Sequence, residues 1–474
     1  MMQNKVRIGL LGVGLDTYWG QFEGLLPRLL AYQEEICAGI EQMDVEVVNV
    51  GIVDSPQKAG ESALLLKQAD VEFVFLFIST YALSSTVLPV AQQVGKPVIM
   101  LNMQPVPAID YQKVNSMGDR GKMTGEWLAH CQACSVPEFA SVFNRSGIRY
   151  DIITGYLSDQ LAWKEIASWV DAARAVDGMR KNRLGILGHY YCGMLDVYTD
   201  VMQQSAIFGT HVELLEMCEL KAYRDEVTDV DLKRKLNEFY DKFDVETSCE
   251  SDELVRAACT SVALDKLVET HRLGAMAYYY EGFNGNDYEN IVTSVIAGNT
   301  LLTGYGIPVA GECEVKNAQA MKIMSLLKAG GSFSEFYAMD FNDDIVMLGH
   351  DGPAHFAIAE EKVKLVPLPL YHGKPGKGLS IQMTVKPGNV TLLSVCEGKD
   401  GVFLLAAEGE SVQGETLHIG NTNSRYRFPC GARRFMDMWS KAGPSHHCAI
   451  GVGHKVSELK KLAFLLNIPI VVIE

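Results

Sequence analysis

The chain has 474 residues, 48% hydrophobic and 21% charged, enough for about three domains that each bury a core. Its formal charge of −16 argues against a nucleic-acid binder, because such binding rests on lysines and arginines that neutralise phosphates. No apolar run reaches the roughly 18 to 20 residues of a membrane span. Met1–Ile8 also lacks the marks of a signal peptide, so the cytoplasm is the expected compartment. The eleven cysteines are scattered, and one C-x-x-C (Cys131, Cys134) has no second pair to complete a zinc site.

Short β-rich runs alternate with helical stretches from the start. Val6–Leu11, Val45–Val53, Val71–Ser79 and Pro97–Leu101 read as strands; Gln21–Gln42, Ser55–Gln68 and Leu83–Gln93 read as helices. Continuous apolar strands separated by helices predict a parallel sheet covered on both faces. Gly12-Val13-Gly14 after the first strand invites a dinucleotide reading, but the third glycine of that fingerprint is replaced by Thr17, which favours a plain turn.

A second α/β stretch follows the helical segment Ala162–Val176. It runs through strands at Leu184–Leu187, Val212–Met217 and Ala275–Tyr280, and through helices at Asp231–Phe243, Glu253–His271 and Val315–Leu327. After Gly331 lysines, glycines and β-branched residues alternate, with turn signals at Lys374-Pro375-Gly376 and Lys386-Pro387-Gly388. Ser380–Val385 and Val390–Ser394 read as antiparallel strands, and Ser457–Leu466 and Pro469–Ile473 as a closing helix and strand. The expected domains are 1–178 and 179–330, both α/β, and a β-rich 331–474.

Three segments put metal-capable or proton-transfer side chains at the ends of elements. These are Gly311-Glu312-Cys313-Glu314, the stretch Ser334–Asp340 followed by Gly349-His350-Asp351, and Gly443-Pro444-Ser445-His446-His447. Each alone also suits a structural role: acidic residues are common in a helix's first turn. Adjacent histidines cannot share one strand face, so only one of His446 and His447 is expected to bind an ion directly. Carboxylates with imidazoles suit Mn²⁺, Mg²⁺ or Co²⁺ better than a thiolate zinc site does.

In order and context these segments resemble the L-arabinose isomerase and L-fucose isomerase superfamily. Gly311-Glu312-Cys313-Glu314-Val315-Lys316 is similar to the family's Gly-Glu-Gly-Asp-Trp-Lys, and Ser332-Phe333-Ser334-Glu335 to its Ser-Phe-Met-Glu. His350 matches the histidine after an apolar strand, and His447 the second histidine of Gly-Gly-Gly-His-His. Met339-Asp340-Phe341-Asn342 fits the fucose isomerase form of the second segment, so Glu335 and Asp340 compete for one role. Asp340 is slightly favoured because it lies nearer the His350 strand.

The resemblance implies two Rossmann-like (flavodoxin-like) α/β domains followed by a β-rich, barrel-like C-terminal domain. It implies aldose–ketose isomerisation of a pentose or deoxyhexose, such as L-arabinose or L-fucose, through a cis-enediol. A divalent metal, Mn²⁺ before Mg²⁺ or Co²⁺, would be held by Glu312, Asp340 or Glu335, His350 and His447, and the carboxylates would also move protons. Substrate contacts would come from His446 and from Asp16, Trp19, Asn102, Gln104, Asp119 and Arg120. The N-terminal domain of one subunit would cap its neighbour's metal site in a homo-oligomer, a hexamer or trimer. Met117 stands where arabinose isomerases carry a sugar-facing histidine, and Asp16 where they carry a glutamine, which leaves the sugar open. The alternatives are a non-catalytic carbohydrate-binding or regulatory protein of the same fold and a nicotinamide-dependent oxidoreductase.

Overall fold

The computed structural model describes residues 5–281, 285–371, 374–375 and 377–474. The chain forms two compact units, Met1–Asp177 and Gly178–Glu474. The central α/β stretch and the C-terminal β-rich stretch, read from sequence as separate domains, thus lie in one unit.

The first unit holds strands β1 (Arg7–Val13), β2 (Glu46–Val53), β3 (Val74–Phe77), β4 (Val98–Gln104) and β5 (Tyr150–Tyr156). They pair in parallel in the order β2-β1-β3-β4-β5, the doubly wound arrangement of flavodoxin-like folds. The central strand β3 is buried along its whole length, which explains its unbroken Val-Phe-Leu-Phe sequence. Gly12 and Gly14 serve packing: a Cβ on Gly12 would strike the Gln33 amide, and one on Gly14 the Trp19 ring.

In the second unit β6 (Arg183–Gly188), β7 (His211–Leu215), β9 (Ala275–Tyr279) and β10 (Val309–Ala310) form a parallel sheet ordered β10-β9-β6-β7. The short β8 (Asp244–Val245) joins β13 (Lys364–Pro367) and β16 (Leu379–Gln382) in a small mixed sheet. β14 (Leu370–Tyr371) and β15 (Lys374–Pro375) pair with each other; Gly376 of the turn signal predicted beside them lies outside the described residues.

Six antiparallel strands close into a barrel. They are β11 (Gly330–Asp340), β12 (Ile345–His350), β17 (Gly388–Gly398), β18 (Gly401–Val412), β19 (Thr422–Arg427) and β20 (His447–Val452). Around the barrel the order is β17-β20-β11-β12-β19-β18, and β18 pairs back onto β17. The last strand, β21 (Ile470–Ile473), adds to β18 in parallel. The fold class is therefore the expected one: α/β sheets followed by a β-barrel.

The helix Val315–Leu326 explains why sheet and barrel share a unit. It packs on β9 and β10 and also on β11, β17 and β20. Consequently Val315–Met321 are buried on every side, polar Lys316, Asn317 and Gln319 included. Among the described residues no helix is long and apolar enough to cross a membrane.

Candidate metal centre

The barrel strands bring the site together by register. On β11, Glu335 lies opposite His447 of β20 on one side and Gly349 of β12 on the other. Paired residues share a face of the sheet, so Glu335 and His447 point the same way. Position 349 must be glycine, because a Cβ there would run into the Thr422 carbonyl oxygen and the Tyr337 ring. His350, the last residue of β12, follows directly. Phe333, two residues before Glu335, is fully buried beneath both imidazoles, its ring centroid 4.4 Å from His350 and 4.3 Å from His447.

Glu312 arrives from the central sheet, just after β10. Both Glu312 and Cys313 have left-handed backbone, with φ of 55° and 60°. Non-glycine residues avoid that region, and a consecutive pair at the mouth of a cleft is the kind of strain that surrounding structure must hold in place. Glu312 Oε2 lies 3.4 Å from His447 Nε2, and His350 Nε2 is 3.3 Å from His447 Nε2. Donor atoms of Glu312, His350 and His447 all fall within 4.8 Å of one another, as do those of Glu335, His446 and His447.

Burial dominates the electrostatics. It pushes the His350 and His447 imidazoles down to about 3, so both are neutral at physiological pH. His447 Nδ1 is 2.6 Å from the fully buried Glu314 carboxylate, which accepts a hydrogen bond from Nδ1–H and so leaves the Nε2 lone pair facing Glu312 and His350. Burial pushes the Glu314 carboxyl up to about 7. At Glu312 burial also works upward, but the neighbouring His446 imidazole foremost outweighs it and holds the carboxyl below its ordinary value. Its Oε2 is buried without a hydrogen-bond partner.

His446 differs from its neighbour. Its Nε2 lies 3.4 Å from Glu312, its Nδ1 2.6 Å from Asp196 Oδ2, and these carboxylates, Glu312 foremost, raise it to about 9. Asp196 also accepts the His446 backbone N–H at 3.0 Å, and its carbonyl accepts Ser445 Oγ at 3.0 Å. Asp196 thereby fixes the loop carrying both histidines. Nothing local to residues 194–200 marks it in the sequence.

The cluster opens on a cavity of about 280 Å³ lined by Glu312, Glu335, His350, Tyr279 and Asn299, among others. Asp340 is elsewhere. It ends β11 opposite Ile345, accepts the Asn342 and Asp343 N–H groups in a hairpin turn, and lies 3.7 Å from Arg425. Of the two competing carboxylates the structure thus sets Glu335, and not the slightly favoured Asp340, beside the donor cluster. A register shift between Phe336 and Ala338 and the turn itself separate the two carboxylates.

Of the residues expected to face the substrate from the first unit, Asp16 and Trp19 follow β1 and Asn102 and Gln104 lie at the carboxyl end of β4, the usual ligand edge of such sheets. Asp16 opens the short turn Asp16–Tyr18 after β1, and Trp19 Nε1 donates to Asp54 at 2.7 Å. Asn102 and Gln104 end β4 and bond Thr154 Oγ1 at 3.1 Å and the Pro107 carbonyl at 2.8 Å. Asp119 caps the helix Arg120–Leu128, which Arg120 begins.

Residues 330–469 match the L-arabinose isomerase C-terminal domain family. That range holds the whole barrel and three of the four segments read as ligands. Over most of its length the chain is also similar to L-arabinose isomerases. An L-arabinose isomerase from a Nocardioides species is 23% identical over 393 residues, 80% of this chain and 76% of that protein. Those of Aeromonas salmonicida and Klebsiella pneumoniae are 19% and 22% identical, over 85% and 71% of this arabinose isomerase-like chain and 80% and 69% of their own lengths.

Proposed function

We propose that the chain is a metal-dependent aldose–ketose isomerase acting on a pentose or deoxyhexose such as L-arabinose or L-fucose. One observation carries the reading: a buried carboxylate oxygen that makes no hydrogen bond and two neutral imidazoles converge at the edge of a small cavity. That donor set fits a divalent ion, Mn²⁺ first, with Mg²⁺ and Co²⁺ next. Glu312, His350 and His447 would hold it, with Glu335 beside them. When bound, such an ion polarises a carbonyl and templates the substrate oxygens. No lysine or arginine lines the cavity among the described residues, which suits an unphosphorylated sugar.

Conversion to the ketose moves one proton from C2 to C1 and another from O2 to O1, through a cis-enediol. Glu312, held ionised, and Glu335 are the carboxylates that would accept and return these protons. His446, held protonated between Glu312 and Asp196, would donate to a substrate oxygen as it gains charge. A homo-oligomer, hexamer or trimer, belongs to the same reading, and sedimentation tests it directly.

The decisive assay measures ketose formation from a panel of L- and D-aldoses with Mn²⁺, Mg²⁺ or Co²⁺. Glu312→Gln should lower turnover at least about 100-fold with the fold intact. Retained turnover in that variant refutes the assignment, and sugar binding without ketose formation by the wild type would favour the non-catalytic alternative.

A further inference from the structure

Beyond the donor cluster the cavity is walled by the helix Ile296–Gly304 and the residue before it. Val295, Ile296 and Met194 make this part apolar. Asn299 interrupts it: three residues on from Ile296, it shares that residue's helix face. It is only 2% exposed, and its side-chain Oδ1 is buried with no hydrogen-bond partner. Its helix neighbours differ. Thr300 Oγ1 accepts the Ala354 N–H at 3.2 Å and Thr303 Oγ1 accepts the Val309 N–H at 3.1 Å. Those hydroxyls tie the helix to the Gly352-Pro353 wall and to β10, so Asn299 rides on a fixed support. Buried polar groups are retained with a partner, and Asn299 lines this cavity.

We propose that Asn299 determines specificity by accepting a hydrogen bond from a substrate hydroxyl other than those held at the donor cluster. The proposal rests on the sugar-isomerase reading of the site. A neutral amide in apolar surroundings takes an uncharged O–H donor, so one hydroxyl of the sugar is required there and a deoxy carbon is penalised. Leaving the amide unpaired costs about 10- to 100-fold in affinity.

The test uses the full-length, Mn²⁺-loaded protein and a set of analogues of the best aldose, each lacking one hydroxyl, with the matching polyols. It reads kcat/KM for the aldoses and calorimetric Kd for the polyols. Wild type should disfavour the analogue lacking one particular hydroxyl by about 10- to 100-fold. Asn299→Leu should reduce that preference to about 3-fold or less and keep the others, and Asn299→Asp, which retains an acceptor, should restore part of it. Asn299→Ser carries the test if the leucine variant does not fold. An unchanged preference pattern in the Leu or Ser variant overturns the proposal, as does a wild type indifferent to every deoxy analogue. Polyol discrimination lost in Asn299→Leu without any ketose formation would sink the isomerase reading and uphold Asn299. Ketose formation with discrimination intact in the variant would do the reverse.

Discussion

Glu314 is the point at which the metal-centre reading is most exposed to measurement. Its carboxylate is 1% exposed and sits 2.6 Å from His447 Nδ1. A carboxylate behind a ligating imidazole fixes its tautomer and raises its basicity, and losing such a partner typically weakens metal affinity 10- to 100-fold, about 1.4 to 2.7 kcal/mol. Glu314→Gln keeps an acceptor but loses the charge, so about 10-fold is expected. Glu314→Leu leaves the Nδ1 proton unpartnered in a dry site, and about 100-fold is expected. The assay is calorimetric titration of Mn²⁺ into chelator-stripped protein, with circular dichroism to check folding. Because burial lifts the Glu314 carboxyl to about 7, it is ionised only above that pH. The gap between wild type and Glu314→Gln should thus be full above pH 7 and close as pH falls through it. Folded variants within about 3-fold of wild-type affinity at pH 8 would refute the reasoning.

Two further outcomes are expected. Glu335→Gln should cost at least about 100-fold in ketose formation, whereas Asp340→Asn, confined to its hairpin turn, should stay within a few-fold of wild type; the reverse pattern would reinstate Asp340. Lys322, whose Nζ donates to the Gly306 carbonyl at 3.0 Å, is lowered by burial to about 8. Its folded-state depression from 10.5 costs about 3 kcal/mol at neutral pH, and the Gly306 bond offsets about 1 kcal/mol. Lys322→Met should therefore gain about 2 kcal/mol in urea denaturation at pH 7. Between pH 8 and 10.5 the unfolded chain holds this proton and the folded one does not, so wild-type stability should rise with pH there and the variant should lack that rise.

The site segments were legible because each packs unusual side chains into a few residues: Glu312 between glycine and a helix, His350 after an apolar strand, His447 in a histidine pair. The parallel sheets were legible for a similar reason, since fully buried strands write their burial locally. What failed to show depends on partners distant in sequence. Choosing Glu335 over Asp340 requires knowing that Glu335 pairs with His447 and Gly349, and that the register slips just beyond it. Asp196 and Asn299 matter only through what the fold sets beside them. That the helix Val315–Leu326 is buried on all sides between the sheet and the barrel, across the boundary expected near residue 330, follows from contacts distant in sequence. The helix Ala432–Ala442, which buries Phe435 and Trp439, lies in a stretch read only as part of a β-rich domain.

The His350 and His447 imidazoles meet across 97 residues of chain, and Glu314 reaches His447 across 133. No fragment shorter than the span from Glu312 to His447 holds all of these donors, and closing loops of that length costs chain entropy before any contact rewards it. The donors therefore act as a clasp that engages only when the barrel has closed around its last strands. Ion capture during refolding would timestamp that closure, together with the burial of Phe333 beneath both imidazoles.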